Sequence, residues 1–505
     1  MTFRTIAARL VLIAGLLAVA LSAVAQDDFK ELESRVTQFT LDNGWRFIVL
    51  QRHQAPVAAF LTYADVGSTQ EVTGITGLAH VFEHMAFKGS SHLGTKDYAQ
   101  EKLALDRVDV AYIALRDERR KGQGANPEKL KKLEQEFKSA QEAAGKFVVP
   151  NEFGEAVERA GGHGLNANTS WDATNYFFSL PSNEMELWFY LEAQRFGDPV
   201  LREFYKERDV VMEERRLQES QPIGRLIEEF EAVAYKAHPY HEPVIGHMSD
   251  LQNLTRRDGE AFFKKYYIPS NLISVVAGDV TPERVRALAR KYFGPIPSGP
   301  KPAPLHTVEP PQTGERRVTL RLQSQRVFVE GYHKPDINSP DNAVYEAIGS
   351  LLSEGRSSRL YRALVRDKKL ATNTGGFPGF PGQKYPGLFL FYAFAAPGHT
   401  NDEVQKALEA EIDRLKTEPV SQEELDGVKR RARADVIRQL DDNSQITRML
   451  AYYQALTGDW RNLFKQLDKI AAVTPADVQR VTKATFTFDN RTICAIEPLE
   501  TAAAR

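Results

Sequence analysis

Thr76-Gly77-Leu78-Ala79-His80-Val81-Phe82-Glu83-His84-Met85-Ala86-Phe87-Lys88-Gly89 is the stretch on which the reading of this chain turns. Two histidines four apart fall on one face of a helix, one turn from each other. Both imidazoles can therefore reach a single metal ion, and Glu83 lies beside the second of them. Zinc-assisted hydrolysis of a peptide needs that set: neutral imidazole ligands, a third ligand from elsewhere, and a carboxylate placed to take a proton from water at the ion. The order H-x-x-E-H reverses the commoner H-E-x-x-H. A helix that merely carries two histidines is the competing reading, so the third ligand has to come from the rest of the chain.

At 505 residues the chain exceeds one ordinary core, and about two to four domain-sized units are expected. Hydrophobic residues at 42% and charged residues at 26% describe a globular protein. A formal charge of −2 gives no reason to expect nucleic acid or an anionic membrane as partner. Arg4 and Arg9 precede the apolar run Leu10 to Leu21, and Ala23-Val24-Ala25 before Gln26 has the small-x-small pattern of a cleavage site. Residues 1–25 are therefore read as a secretory signal peptide, which predicts an exported protein, periplasmic or secreted. The apolar run is shorter than the ~20 residues of a spanning helix, and no later segment reaches that length, so stable membrane insertion is not expected. Cys494 is the only cysteine, so no internal disulfide forms. Its setting, Thr492-Ile493-Cys494-Ala495-Ile496, is that of a buried strand residue, which sets aside a cysteine nucleophile.

Val36–Leu41 and Trp45–Gln51 are β-rich runs on either side of Asp42-Asn43-Gly44, a hairpin signal, and Pro56–Val66 reads as a third strand. Between Asp97 and Ala144 helical spacing is interrupted by Gly122-Gln123-Gly124-Ala125-Asn126-Pro127, which predicts a helical hairpin with Pro127 near the start of its second arm. Gly161-Gly162-His163-Gly164 introduces Leu165–Leu180, read as one long strand. Helices are expected at Glu184–Arg195, Val200–Glu219, Ile223–Ala237, Thr255–Tyr266 and Thr281–Phe293, with a strand at Asn271–Ala277.

Gly294–Gln312 holds seven prolines and no periodicity, the pattern of an extended linker. Beyond it the order recurs. Strands are expected across Arg316–Tyr332, helices at Asp341–Leu352 and Ser358–Asp367, and strand-like runs to Ala395. Helices follow over 401–417, 422–439 and 443–457, then a strand at 491–496. Thr255, Asp258, Lys264 and Asn271 match Thr474, Asp477, Lys483 and Asn490, each pair offset by 219 residues. The fold class expected is α+β, with two homologous α/β units, each an antiparallel sheet packed with helices. The first, 26–293, carries the candidate metal site and the 97–144 insertion; the linker 294–312 leads to the second, 313–505, which has no metal motif.

The expected helix Val200–Glu219 contains Glu207-Arg208-Asp209-Val210-Val211-Met212-Glu213-Glu214, whose Glu207 and Glu214 are seven apart and share one face. With this stretch in view the chain resembles the pitrilysin/insulinase family of inverted-motif zinc peptidases, in particular its half-length bacterial and mitochondrial-processing-peptidase-like branch. The resemblance spans nearly the whole chain after residue 25. It implies one zinc ion held by His80, His84 and Glu214, with Glu83 as general base and Glu207 as an outer carboxylate that orients a ligand. Asn166-Ala167 fall where members hold substrate backbone, and the histidines of 238–247 fall in family scaffold. Two prolines in that stretch also argue against helical pairing of its histidines.

The resemblance further implies a metalloendopeptidase acting on extended or unfolded peptides, in a chamber formed by two chains. Two departures qualify it. His84 and Glu214 are separated by 129 residues, more than in familiar short members, and the 97–144 hairpin accounts for the excess. Members also carry an Arg and a Tyr in the second half that hold substrate; here Arg366 matches, but Thr372 stands where the Tyr is expected. A heterodimer with a metal-free homologue that supplies this pair is therefore favoured over a homodimer. The competing function is a non-catalytic scaffold or binding subunit of a peptidase-like complex.

Overall fold

Asp42-Asn43-Gly44 does make a turn: it joins β1 (Val36–Thr40) to β2 (Arg46–Gln51), with Gly44 at φ +97°. The computed structural model describes residues 30–499, so the signal peptide read at 1–25 lies outside the described residues. β3 (Val57–Ala64) precedes α1 (Leu78–Met85), the motif helix. Next come α2 (Tyr98–Arg119), α3 (Pro127–Gly145) and α4 (Glu152–Arg159), and then β4 (His163–Thr169) and β5 (Thr174–Pro181). After these run α5 (Met185–Gly197), α6 (Phe204–Ser220), α7 (Pro222–Ala234), the single turn α8 (Met248–Leu251), α9 (Arg256–Tyr266), β6 (Leu272–Gly278) and α10 (Pro282–Tyr292).

No helix or strand interrupts 293–315. The second half contains β7 (Arg316–Leu322), β8 (Val327–Lys334), α11 (Asn342–Ser353), β9 (Ala371–Phe380) and β10 (Gly387–Ala395). It ends with α12 (Asn401–Thr417), α13 (Gln422–Asp441), α14 (Asn443–Thr457), α15 (Asn462–Ala472), α16 (Pro475–Thr485) and β11 (Arg491–Pro498).

The second sheet repeats the topology of the first without its outermost strand, β1. The first has the order β1-β2-β6-β3-β5-β4 and the second β7-β11-β8-β10-β9. In each, one pair is parallel (β2 with β6, β7 with β11) and the other neighbours are antiparallel. The repeat at offset 219 has a physical content. Thr255 and Thr474 cap their helices in a capping box with Asp258 and Asp477. The Asn271 amide donates to the carbonyls of Tyr266 and Asp65, and the Asn490 amide to those of Thr485 and His333. Each asparagine thus fastens a helix end to the entry of a central strand.

Each sheet is covered on both faces, and each half lends the other a helix. On β2, Phe47 and Val49 point to the aromatic core with Phe60, Trp188 and Phe293, while Ile48 and Leu50 point to Ile446 and Leu450 of α14. On the second sheet, Val327, Val329 and Cys494 pack against Leu226, Phe230 and Ala234 of α7. Cys494 is buried in a strand, as its apolar run implied, and burial pushes its thiol up to about 12.

Several expectations need correction. Leu165–Leu180 is a hairpin, not one strand: Ser170–Ala173 turns the chain, with the Ser170 hydroxyl donating to the Ala173 carbonyl and Tyr240 donating to the buried Asp172. The helix read from Val200 starts at Phe204, because Glu203 takes a left-handed conformation at φ +58°. The helix read at Ser358–Asp367 is π-helical over Tyr361–Asp367. Helices α4, α8 and α15 fall where no helix is read from the sequence, and α16 is implied only by its match to Thr255–Tyr266. The break at 122–127 is a turn, and Pro127 opens α3 under an Asn126 cap.

Candidate metal centre

The motif helix is fixed at its start by backbone contact and by two carboxylates. Gly77 caps α1 at φ +83° and lies so close to the 243–247 loop that a Cβ there would stand 2.5 Å from the Ile245 carbonyl oxygen. Glu71 accepts hydrogen bonds from the backbone N–H of Gly77 (2.8 Å) and Ala79 (2.6 Å). Asp250 accepts from Gly74 N–H and from the Thr76 hydroxyl. Leu78, Val81, Phe82 and Met85 are buried, with Phe82 against Phe263 and Tyr267. With that face committed to the core, His80, Glu83 and His84 are left partly open on the other.

Facing them is α6, held in rotation by Arg215, which forks onto both oxygens of Glu228 at 2.6 and 2.7 Å. Its Glu214 sets Oε2 3.8 Å from His80 Nε2 and Oε1 3.8 Å from His84 Nε2. One donor atom from each of these three residues lies within 4.8 Å of the others, and no second such group occurs among the described residues. A tetrahedral zinc ion with bonds near 2.1 Å separates its ligands by roughly 3.4 Å, so the three donors would close on one ion by up to about 1.4 Å. Glu207 lies 3.5 Å from His84 Nδ1 and ion-pairs with Lys88 at 2.6 Å, which leaves His84 Nε2 free to ligate. Burial, reinforced by the neighbouring His84, brings His80 down to about 4 and keeps it neutral. Burial opposes charge on His84, but Glu207, Glu214 and Glu83 outweigh it and raise its pKa.

Glu83 stands on the same open face. Burial raises its pKa, and Thr169 of β4 partly offsets this by donating its hydroxyl to Oε2 at 2.6 Å. β4 is the outer strand of its sheet, so one side of its backbone is unpaired. Asn166 is exposed and Ala167 buried on it, and the Asn166 side chain accepts from Ala167 N–H at 2.8 Å. A cleft of about 430 Å3 is lined by His80, Glu83, Ala167, Thr169 and Trp171.

The structure brings His80, His84, Glu83, Glu207, Glu214 and the Asn166–Ala167 strand together. Arg366 is not among them: it is exposed, and its only polar partner among the described residues is its neighbour Asp367. Thr372 lies on β9, the outer strand of the second sheet, where its hydroxyl donates to the Phe394 carbonyl. The histidines of 238–247 serve local structure. His238 accepts from Tyr240 N–H, and His241 and His247 pair with Glu242. Sequence reasoning missed Thr169 and Lys88. Lys88 sits one turn beyond His84, a spacing that could have pointed to it; no local signal points to Thr169.

A family model described as insulinase (peptidase family M16) matches residues 46–105 and 144–247, and one described as the peptidase M16 inactive domain matches 253–432. The zinc protease PqqE of Helicobacter pylori is 30% identical over 471 residues, 91% of this chain and 92% of that protein. The chain belongs to the insulinase (peptidase M16) family. The stretch that the insulinase model passes over, 106–143, falls within the α2–α3 hairpin. The crystal structure of a protease from Helicobacter pylori superposes with a TM-score of 0.77 at 28% identity, covering 92% of this chain and 99% of that one. Likeness in fold alone extends to a peptidase M16 inactive domain from Pseudomonas fluorescens, with a TM-score of 0.73 at 17% identity, covering 92% of this chain and 98% of that one. It also extends to the periplasmic protease PqqL of Escherichia coli, with a TM-score of 0.69 at 17% identity. This insulinase-family chain covers 92% of its own length there, but only 47% of PqqL.

Proposed function

We propose that this chain is a zinc metalloendopeptidase that cleaves extended or unfolded peptide segments. The observation that carries the reading is the approach of Glu214 to both Nε2 atoms, one oxygen to each, with Glu83 a turn away on the same face. His80, His84 and Glu214 would hold the metal. Zinc, when bound, acts as a Lewis acid that acidifies water and polarises a carbonyl. Glu83, oriented by Thr169, takes the proton from the attacking water and passes it to the leaving amine. Glu207 fixes His84 in the tautomer that offers Nε2. The free edge of β4 around Asn166 and Ala167 accepts an extended substrate by β-addition, so main-chain hydrogen bonds supply affinity and sequence preference is loose.

The test is Glu83→Gln with a metal assay on the purified chain. Zinc retained and peptide cleavage abolished is the expected result; surviving cleavage would remove Glu83 from the role of base.

A second chain completes the substrate site in this reading. Support comes from Thr372 standing where the family places a tyrosine, and from Arg366 engaging, among the described residues, only Asp367. PqqL, about twice as long, has the same fold over 47% of its length, which leaves room for a second half of equal size. A homologous, metal-free partner carrying the Arg/Tyr pair is favoured over a homodimer. Full peptidase activity from the lone homodimer would sink that preference. Export through the 1–25 segment would take this chain to the periplasm or the medium in this proposal.

A further inference from the structure

Arg116, Arg119 and Arg120, near the end of α2, stand at i, i+3 and i+4 and so share one helix face. They line a cleft of about 670 Å3 whose opposite wall is α6, where Arg208 and Arg216 line it too. Only two carboxylates line the same cleft, Asp209 and Glu213. Four of the five arginines pair with highly exposed carboxylates. Asp117 is 57% exposed, Glu134 52%, Asp209 58% and Glu213 72%. The two pairs exposed on both sides, Arg119–Glu134 and Arg216–Glu213, contribute little and exchange readily. Among the described residues Arg120 pairs with no carboxylate, only with the Asn253 side-chain oxygen at 2.9 Å. Arg208 is buried, its guanidinium lying 4.5 Å over the Tyr112 ring. Five planar guanidinium groups lining one cleft, with the buried Arg208 among them, are suited to the oxygens of phosphoryl groups.

We propose that the α2–α6 cleft binds a multiply charged oxyanion of the polyphosphate class. The anion would tie the α2–α3 hairpin to α6, the helix that carries Glu207 and Glu214, and so give the hairpin a ligand-dependent hold on the metal side of the fold. If the α2 arginines only complement the negative end of their own helix dipole, no such ligand binds.

Isothermal titration of the full chain with sodium tripolyphosphate decides between these, with zinc content measured before and after. Saturable one-to-one binding that weakens with salt, and weakens at least about tenfold in the Arg120→Gln/Arg216→Gln double variant, supports the site. Absence of saturable heat, undiminished binding in the double variant, or heat that tracks zinc stripped from the chain would overturn it. Both positions are solvent-facing, and circular dichroism checks the fold; should the double variant unfold, Arg119→Gln on the same wall is read in its place.

Discussion

The Thr169 hydroxyl donates to Glu83 Oε2 at 2.6 Å, joining the outer strand of the first sheet to the motif helix across 86 residues of sequence. The proposed base is thus aimed by the same strand that is proposed to receive substrate. Replacing Thr169 with Val removes the aim and leaves the three donors untouched. The expected outcome is a kcat lower by about tenfold at unchanged zinc content. Equal kcat in wild type and variant would show that Glu83 needs no such support.

Glu207 sits between His84 and Lys88. Against the effect of burial, these two hold its carboxyl down at about 2, so it stays an acceptor throughout the working pH range. Glu207→Gln should weaken zinc binding about 10- to 100-fold, because the tautomer and orientation of His84 lose their anchor. Competition with a chromogenic chelator measures this directly, and identical affinities would assign Glu207 to α6 stability alone.

Gly246 meets Gly77 backbone to backbone: a Cβ on Gly246 would lie 2.5 Å from Gly77 Cα, and its φ is +81°. Gly246→Ala should cost about 2–4 kcal/mol of stability and displace the start of α1. Denaturant melts should show the loss, and zinc content should fall with it. A variant of wild-type stability would mean that the loop yields without moving the motif helix.

Glu346 on α11 is raised from its ordinary 4.5 to about 7 by burial, with Lys334 opposing and Glu354 adding to the shift. The folded chain therefore binds an extra proton there between these values. That contribution to stability is full below the unfolded value and is lost as pH rises through the folded one. Wild type should lose roughly 1–3 kcal/mol more than Glu346→Gln between about pH 5 and about pH 8. Parallel stability-against-pH curves for the two proteins would refute it.

Much of the centre could be read locally because helical geometry converts spacing into direction. His80 with His84 four apart, and Glu207 with Glu214 seven apart, each specify one face of one helix. The repeat was legible for the same reason, since a capping threonine, its aspartate and a strand-entry asparagine recur at fixed positions. Less could be read where side-chain period alone carried the signal. The Thr-, Asn-, Tyr- and Phe-rich run Leu165–Leu180 concealed the turn at Ser170–Ala173, because the turn is held by Tyr240 and the 382–385 loop, far away in sequence.

What the sequence by itself determined was the family, the two-unit α+β plan and which residues stand as candidate donors and proposed base, since each rests on residue types at short, fixed intervals. Only the tertiary structure decided what surrounds them. That Thr169 meets Glu83, that Lys88 shares Glu207 with His84, and that α7 and α14 each cover the sheet of the other half are contacts between elements distant in the chain. Such contacts follow from burying both faces of two twisted sheets at once, a requirement that no local run of residues records.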